Sequence, residues 1–302
     1  MHQLQYLKEF FVGNKDSVIS KMKSSMITLR DTESYDFVTI IPKRRRDEHL
    51  KFVLDTYQKS IVHSPYKHAA VVVEHSEYSE GRAICEAKNI SYAFIPKPDK
   101  ELFNKCLCMN IGSAMINSKY FMFHDIDLAI PLEFWENLKQ NIGNKKVIQS
   151  FAGRRVHYIT EEHTKRLFSG DTNIDVVSKK PEWFKSGRPG APGGSIVIES
   201  DLFSKIGGFD PYYFLAYSVE DQFFVDKVSL FQPFTGCNNP SIEMFHLWHP
   251  DNCAATPKVI RDKGHKIIEY FRELPKEYKL TLIALFKNHY SIQRKTIRDN
   301  LC

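Results

Sequence analysis

Alternating apolar and polar segments along the chain predict buried strands that are separated by amphipathic helices. Two β-branched runs, 37–41 (which Pro42 is expected to end) and 69–73, have the composition of strands covered on both faces. Residues 47–61 between them carry apolar side chains at helical spacing, as do residues 102–116 ahead of a third strand at 120–123. This order predicts a parallel α/β sheet with helices on both faces, which binds ligands at the carboxyl ends of its strands.

The second half of the chain continues the same pattern. It predicts strands at 147–151 and 195–198 and helices at 201–206, 219–230, 259–274 and 278–289. The glycine- and proline-rich stretch 187–194 predicts a loop whose backbone can approach a ligand closely. No break in composition requires a second domain, so we expect a helical extension at 1–34, one main domain at 35–250, and a mobile loop with packed helices at 251–302.

Composition and charge narrow the class of protein. The 302 residues are 42% hydrophobic and 26% charged, which is typical of a globular chain with a full core. The net charge of +6 suits an anionic ligand but is too small to indicate a nucleic-acid-binding protein. No apolar run reaches the roughly 18 residues that a membrane span needs, and residues 1–30 lack the pattern of a signal peptide. With six scattered cysteines that we expect to be reduced, the sequence predicts a soluble, cytoplasmic protein.

The late helical region is basic, with Lys266, Arg272, Lys276 and Lys279. A solvated helical surface is the simpler interpretation. Peripheral contact with an anionic membrane that carries a lipid-linked ligand is the alternative.

Candidate metal ligands lie in two segments that are far apart. Asp125 and Asp127 follow the third predicted strand, and His246 and His249 stand close together in a late segment. Carboxylate oxygens and imidazole nitrogens together favour Mn²⁺, with Mg²⁺ as the alternative. Taken singly, the aspartates would be a turn at a strand end and the histidines packed side chains.

An acidic pair, Glu220 and Asp221, begins a predicted apolar helix. A carboxylate beside a reacting hydroxyl group can act as a general base. The alternative is that both acids only complement the dipole at the start of the helix.

In this order, and together with Gly193-Gly-Ser and the basic run Pro42-Lys-Arg-Arg-Arg46, these segments resemble the β-1,4-galactosyltransferase group. That group consists of metal-dependent enzymes of the GT-A fold, a Rossmann-like sheet that binds nucleotide sugars, and the likeness runs from about residue 37 to residue 250. The resemblance implies that Asp127 is a direct metal ligand and that Asp125 contacts the ribose or a metal-bound water. It also implies one histidine ligand, for which we prefer His246 to His249.

The same resemblance implies a donor site and an acceptor site. Phe103 would pack on the uracil, Lys105 would reach the phosphates, and Glu74 would contact the uridine. The other implied donor-binding residues are Pro42, Arg44, Arg46, Gly193 and Gly194. Tyr217 and Glu220 would contact the acceptor. Because Tyr217, Ser218 and Val219 replace the Trp-Gly-Gly of that group, the resemblance does not identify the sugar or the acceptor.

The predicted activity is inverting transfer of a hexose or N-acetylhexosamine from a UDP-sugar to a hydroxyl group of a glycan or glycoconjugate, with Asp221 as the base. A retaining enzyme similar to the polypeptide N-acetylgalactosaminyltransferases is one alternative, although that group lacks the Glu-Asp pair. A metal-dependent nucleotidyltransferase, which would release pyrophosphate, is another. A non-catalytic sugar- or nucleotide-binding module is the third, and it would have no use for Asp221.

Overall fold

The computed structural model describes most of the chain. The described ranges are 15–30, 33–98, 101–143, 147–152, 155–177, 184–189, 193–216, 218–233, 235–237, 244–250 and 256–301.

Twelve strands and eleven helices are present in the described part of the chain. The strands are β1 Met26–Thr28, β2 Tyr35–Lys43, β3 His68–Ser76, β4 Ser91–Pro96, β5 Ser118–His124, β6 Leu128–Ala129, β7 Val147–Ala152, β8 Arg155–Ile159, β9 Phe184–Pro189, β10 Ser195–Glu199, β11 Thr235–Cys237 and β12 Met244–His246. The helices are α1 Lys15–Lys23, α2 Asp47–Ile61, α3 Arg82–Ala87, α4 Lys105–Met115, α5 Phe134–Ile142, α6 Glu161–Phe168, α7 Ile174–Val177, α8 Ser200–Lys205, α9 Glu220–Ser229, α10 Lys258–Glu273 and α11 Lys276–Asp299.

The main sheet has eight strands in the order β1-β4-β3-β2-β5-β10-β7-β11. Its centre, from β4 through β3 and β2 to β5, is parallel as the sequence predicts. The parallel order does not extend to every strand, because β10 pairs antiparallel with both β5 and β7, and β1 pairs antiparallel with β4. Strand direction at β10 depends on the path of the preceding chain, which periodicity within the strand does not report.

Both faces of the main sheet are covered by helices, as expected. In β2, Val38 and Ile40 belong to one buried cluster, whereas Phe37 and Ile41 belong to the other. This division follows from the alternation of side chains along a strand. The first cluster includes apolar residues of α4, α8, α9, α10 and α11, and the second includes those of α2, α5 and α6. No described helix has the combined length and hydropathy that a membrane crossing requires.

Several predicted boundaries differ from the structure. Strand β2 continues through Pro42 to Lys43, because its pairing with β3 extends to Lys43 after the pairing with β5 has ended at Ile40. The predicted loop 187–194 is in part β9, and its residues 190–192 lie outside the described residues. Of the expected mobile loop after residue 250, positions 251–255 also lie outside them, and helix α10 begins at Lys258.

The two ends of the chain join the main body. Residues 1–14 of the predicted extension lie outside the described residues. The extension is not wholly helical, because β1 pairs with β4 at the edge of the main sheet. At the other end, Phe286 and Tyr290 of α11 are buried in the first core cluster.

A second, four-stranded sheet in the order β6-β12-β8-β9 positions the late histidine segment. Strand β12 pairs antiparallel with β6, so that His246 lies opposite Leu128 and Phe245 opposite Ala129. The backbone N–H of Leu247 then donates to the carbonyl oxygen of Asp127 at 2.8 Å. This pairing brings residues that are about 120 positions apart in sequence to the carboxyl end of β5.

Candidate active site

The turn between β2 and α2 carries the first candidate side chain, that of Arg46. Arg45 and Arg46 both adopt left-handed backbone conformations, with φ of 56° and 61°. Non-glycine residues rarely adopt this conformation, and they keep it where the surrounding structure holds them. Arg46 stands at the N-terminus of α2, and its guanidinium Nη1 donates to Asp127 Oδ2 at 2.6 Å.

The loop after β5 is anchored from two sides. His124 is fully buried, with Nδ1 at 3.0 Å from Ser195 Oγ and Nε2 donating to the carbonyl oxygen of Leu128 at 2.9 Å. The backbone N–H of Asp125 donates to the carbonyl oxygen of Gly194 at 3.0 Å. These contacts fix the backbone on both sides of Asp125 and Asp127, so the two carboxylates leave the strand end in defined directions.

Asp127, His246 and His249 form a compact histidine–aspartate cluster. One candidate ligand atom of each residue lies within 4.8 Å of the other two. His249 Nε2 is 3.2 Å from Asp127 Oδ2, and His246 Nε2 is 3.7 Å from Asp127 Oδ1. The sequence predicted this set of three residues, and both histidines face the carboxylate. The structure therefore does not select His246 over His249.

Asp127 and His246 have the protonation states that metal ligands need. Burial alone would raise the pKa of Asp127, but His246, His249 and Arg46 together outweigh it and hold that pKa below its usual range. Burial also lowers the pKa of His246, although Asp127 opposes this effect. A charged carboxylate beside a neutral imidazole is the form in which both groups bind metals.

The donor set fits a divalent transition cation. A buried carboxylate oxygen and two imidazole nitrogens supply mixed oxygen and nitrogen ligation, which Mn²⁺ accepts more readily than Mg²⁺ does. These three side chains would leave the other coordination positions of such a cation to a ligand or to water.

Lys105, Asp125, Glu220 and Asp221 form a second group, the lysine–carboxylate cluster. Lys105 Nζ lies 2.8 Å from Asp125 Oδ1 and 3.8 Å from Asp221 Oδ1. Burial alone would lower the pKa of Lys105, but the three carboxyl groups raise it well above its ordinary value. Lys105 thus stays charged and ties the loop after β5 to the first turn of α9.

Gly193 lies directly against the carboxylate of Asp221. A Cβ atom at Gly193 would stand 1.6 Å from Asp221 Oδ2 and 2.6 Å from Asp221 Cβ. Only a residue without a side chain therefore leaves the Asp221 carboxylate where it is. The Asp221 side chain remains 22% exposed, so it can reach a ligand from this position.

Glu220 is the buried partner in the acidic pair, with 3% of its surface exposed. Its Oε2 accepts from the backbone N–H of Ser218 at 2.9 Å, while its Oε1 has no hydrogen-bond partner among the described residues. Burial, together with the nearby charge of Asp221, raises the pKa of Glu220 to about 7. The two acids therefore differ in role: Asp221 is accessible, whereas Glu220 supports the turn before α9.

The structure does not support the assignment of Glu74 as a uridine contact. Glu74 is fully buried, and four protein groups donate to its carboxylate. These are Lys43 Nζ at 2.5 Å, Ser76 Oγ at 3.0 Å, the backbone N–H of Gly81 at 2.9 Å, and the hydroxyl of Tyr92. A carboxylate with no exposed surface and four donors has no position left for a ligand.

The other predicted donor-site residues lie near the carboxyl ends of β2 and β3. Arg44 is 28% exposed, and its Nη2 is 3.7 Å from Glu77 Oε1. Phe103 is partly buried beside His75, with ring centroids 6.2 Å apart. Pro42 is buried within β2, so it shapes the strand end rather than offering an exposed surface. Tyr217, the predicted acceptor contact, lies outside the described residues.

Sequence reasoning missed one supporting residue, His49. Its Nε2 donates to the carbonyl oxygen of Trp248 at 3.0 Å, and the Trp248 N–H donates to Thr164 Oγ1 at 2.9 Å. These two bonds hold the backbone between His246 and His249. The sequence does give one indication of this role: His49 follows Arg46 by three residues, which places it in the first turns of the same helix.

Neither a protein-family model nor a curated protein matches the sequence. Among solved structures, the catalytic domain of Drosophila β1,4-galactosyltransferase 7 in complex with xylobiose is similar over 71% of each chain, at 14% identity and a TM-score of 0.44. S. aureus TarS, residues 1–349, is similar over 84% of this chain and 71% of its own, at 14% identity and a TM-score of 0.48.

A third similar structure is glucosyl-3-phosphoglycerate synthase from Mycobacterium tuberculosis in complex with Mn²⁺, UDP and glucosyl-3-phosphoglycerate. It covers 78% of this chain and 77% of its own, at 11% identity and a TM-score of 0.44. These structures are glycosyltransferases of the GT-A fold, the fold that the sequence predicts. At such identities the likeness concerns overall structure alone, and the chemistry of the site is inferred from its own residues.

Proposed function

We propose that this protein is a metal-dependent, inverting glycosyltransferase that moves a hexose or N-acetylhexosamine from a UDP-sugar to a hydroxyl group of a glycan or glycoconjugate. One observation carries the proposal. The histidine–aspartate cluster and the lysine–carboxylate cluster, assembled from four separate parts of the chain, meet around Asp125 and Asp127 at the carboxyl end of β5. Ligands of parallel α/β sheets bind at this edge.

The proposed donor site uses the first of these clusters. Asp127, His246 and His249 would hold Mn²⁺, which when bound neutralises charge on the diphosphate of the leaving UDP. Arg46 supplies permanent positive charge beside Asp127, because a guanidinium group does not lose its proton in proteins. Arg44, two residues earlier in the same turn, is a second candidate for contact with the diphosphate. Such fixed charges stabilise a developing anion without reorganisation during the reaction.

The proposed acid–base chemistry uses Asp221. Its exposed carboxylate accepts the proton of the acceptor hydroxyl while that oxygen forms a bond to the anomeric carbon. The bond from the anomeric carbon to the diphosphate oxygen breaks in the same step, and its electron pair leaves with UDP. Lys105 and Gly193 position the Asp221 carboxylate, and a single displacement of this kind inverts the anomeric centre.

Mn²⁺-dependent release of UDP from a panel of UDP-sugars, with and without glycan acceptors, tests this function. The anomeric proton of the product, observed by NMR, reports the stereochemistry. UDP release with inversion supports the proposal. A retained configuration identifies a retaining transferase, release of pyrophosphate identifies a nucleotidyltransferase, and donor binding without turnover identifies a binding module.

A further inference from the structure

The guanidinium of Arg46 lies against two of the three groups proposed to bind the cation. Its Nη1 donates to Asp127 Oδ2 at 2.6 Å, and its Nη2 is 3.1 Å from His249 Nδ1. The side chains of Arg46, His249 and Asp127 are 22%, 17% and 10% exposed, so water screens these contacts only in part.

The backbone holds Arg46 in this place. Its φ of 61° is in the left-handed region, and its carbonyl oxygen accepts the N–H of Leu50 at 3.0 Å in the first turn of α2. Arg45 has the same backbone conformation, with φ of 56°, but its side chain is exposed, and no contact of it with the site was found within the described residues. Of these two arginines, Arg46 is therefore the one whose side chain is directed toward Asp127.

A cation bound at Asp127 would compete with the Arg46 guanidinium for the same carboxylate oxygen. Asp127 Oδ2 already accepts from Arg46 at 2.6 Å and lies 3.2 Å from His249 Nε2. Like charges within a few ångströms repel strongly in a partly buried site. The negative charge of the neighbouring Asp125 does little to offset this repulsion. Lys105 Nζ lies 2.8 Å from Asp125 Oδ1 and neutralises that charge.

We propose that Arg46 couples cation binding to diphosphate binding, by weakening the site for a divalent cation alone and favouring it when a nucleoside diphosphate is present. This inference rests on the proposed function. A diphosphate offers the guanidinium a bidentate anionic partner, so Arg46 can leave Asp127 Oδ2 free for the cation. The coupling is reciprocal, since each ligand must change the affinity of the other by the same factor.

Electron paramagnetic resonance of free Mn²⁺, titrated with the full chain in the presence and absence of UDP, measures this coupling without enzyme turnover. In the wild-type protein, UDP is expected to tighten Mn²⁺ binding by about 5- to 150-fold, the usual range for coupled sites. Arg46→Gln keeps a side chain of similar length without the charge. It is expected to bind Mn²⁺ alone at least about fivefold more tightly and to lose most of the effect of UDP. Arg45→Gln, one position away, is the matched control and should behave like the wild type.

Two results would overturn the inference in different ways. If Arg46→Gln binds Mn²⁺ alone with unchanged or weaker affinity, while its fold is intact by circular dichroism, Arg46 is not a competitor for the cation. The proposed metal site would survive that result. If Asp127→Ala binds Mn²⁺ and UDP as well as the wild type does, the metal site itself is misassigned, and both the site and the coupling are rejected.

Discussion

Asp221 and Gly193 form the contact that determines where the proposed base stands. The glycine lies two residues before β10, the aspartate in the first turn of α9, and any side chain at Gly193 would occupy the space of the carboxylate. Lys105, the first residue of α4, lies 3.8 Å from the same carboxylate. Gly193, because it has no side chain, and Lys105, because of its positive charge, thus position the Asp221 carboxylate together.

Asp221→Asn tests the base directly, because asparagine keeps the shape of the side chain but cannot accept the proton. We expect kcat to fall by about 10²- to 10⁴-fold, while the affinity for UDP with Mn²⁺, measured by calorimetry, stays near that of the wild type. Asp226→Asn on the same helix, where Asp226 pairs with Arg272 at 2.7 Å, is the control and should retain activity. Equal loss of donor affinity in Asp221→Asn would instead make Asp221 a donor-binding or structural residue.

Gly193→Ala tests whether the position of Asp221 matters as much as its identity. The added methyl group would lie 1.6 Å from Oδ2, so the carboxylate must rotate away. We expect kcat to fall by about 10²-fold, the usual effect of misplacing a catalytic group by about 1 Å. Thermal unfolding should occur at a somewhat lower temperature, since the methyl group would also stand 2.6 Å from Asp221 Cβ, which rotation of the side chain does not move. Wild-type turnover in this variant would show that Asp221 does not act from its position in this structure.

At the scale of elements, helix α11 fixes the route of the chain between α8 and the acidic pair. Gly207 has φ of +80°, and a Cβ atom there would lie 2.4 Å from the backbone carbonyl carbon of Phe286 in α11. Beyond it, Lys227 of α9 donates to the carbonyl oxygen of Gly208 at 2.6 Å and to Asp210 Oδ2 at 2.5 Å. The C-terminal helix therefore packs directly on the turn that leads toward Glu220 and Asp221.

Gly207→Ala should lower the free energy of unfolding by more than about 1 kcal/mol, because it combines a strained φ with a backbone clash. Gly170→Ala is the matched control, since Gly170 has φ of +82° but open space around its Cβ position. Urea denaturation of both variants separates the effect of the positive φ, which the two positions share, from the effect of the backbone clash, which only Gly207→Ala introduces. A larger loss in Gly207→Ala is expected, and equal losses would show that α11 does not press on this turn.

The differences between predicted and observed elements have a common cause. Burial within one element was predicted correctly, as in β2, which is covered on both faces, with Val38 and Ile40 in one core cluster and Phe37 and Ile41 in the other. Errors arose where a neighbouring element decided the outcome. Pro42 remains in β2 because β3 continues to pair there, and Gly187 lies in β9 because β8 pairs with that strand.

At the scale of the whole molecule, burial of Glu220 makes stability depend on pH. An unfolded glutamate loses its proton near pH 4.5, whereas folded Glu220 keeps its proton up to a pKa of about 7, chiefly because of burial. Between these values the folded state binds more protons than the unfolded state does. The stability that protonated Glu220 contributes is therefore complete below pH 4.5 and is lost as the pH rises through 7.

Glu220→Gln should remove this dependence, because glutamine stays neutral and can still accept from Ser218. Relative to the wild type, the variant should gain about 1–3 kcal/mol in free energy of unfolding between pH 4.5 and pH 8. Urea denaturation at several pH values measures the difference between the two proteins. A constant difference across this range would mean that Glu220 is ionised in the folded protein at all these values.

The sequence by itself determined the class of fold and the chemical types in the site. Periodicity predicted the central strands and their covering helices, and Asp125, Asp127, Glu220, Asp221, His246 and His249 were identified from their residue types and their places at element ends. These features are local, since each depends on side chains a few positions apart. Only the tertiary structure decided which of these groups meet. It joined β12 to β6, aimed Arg46 at Asp127, set Lys105 between two carboxylates and buried Glu74 beyond the reach of a ligand. Contacts between residues about 20 to 200 positions apart depend on strand order, backbone conformation at turns and packing, and no local pattern encodes them.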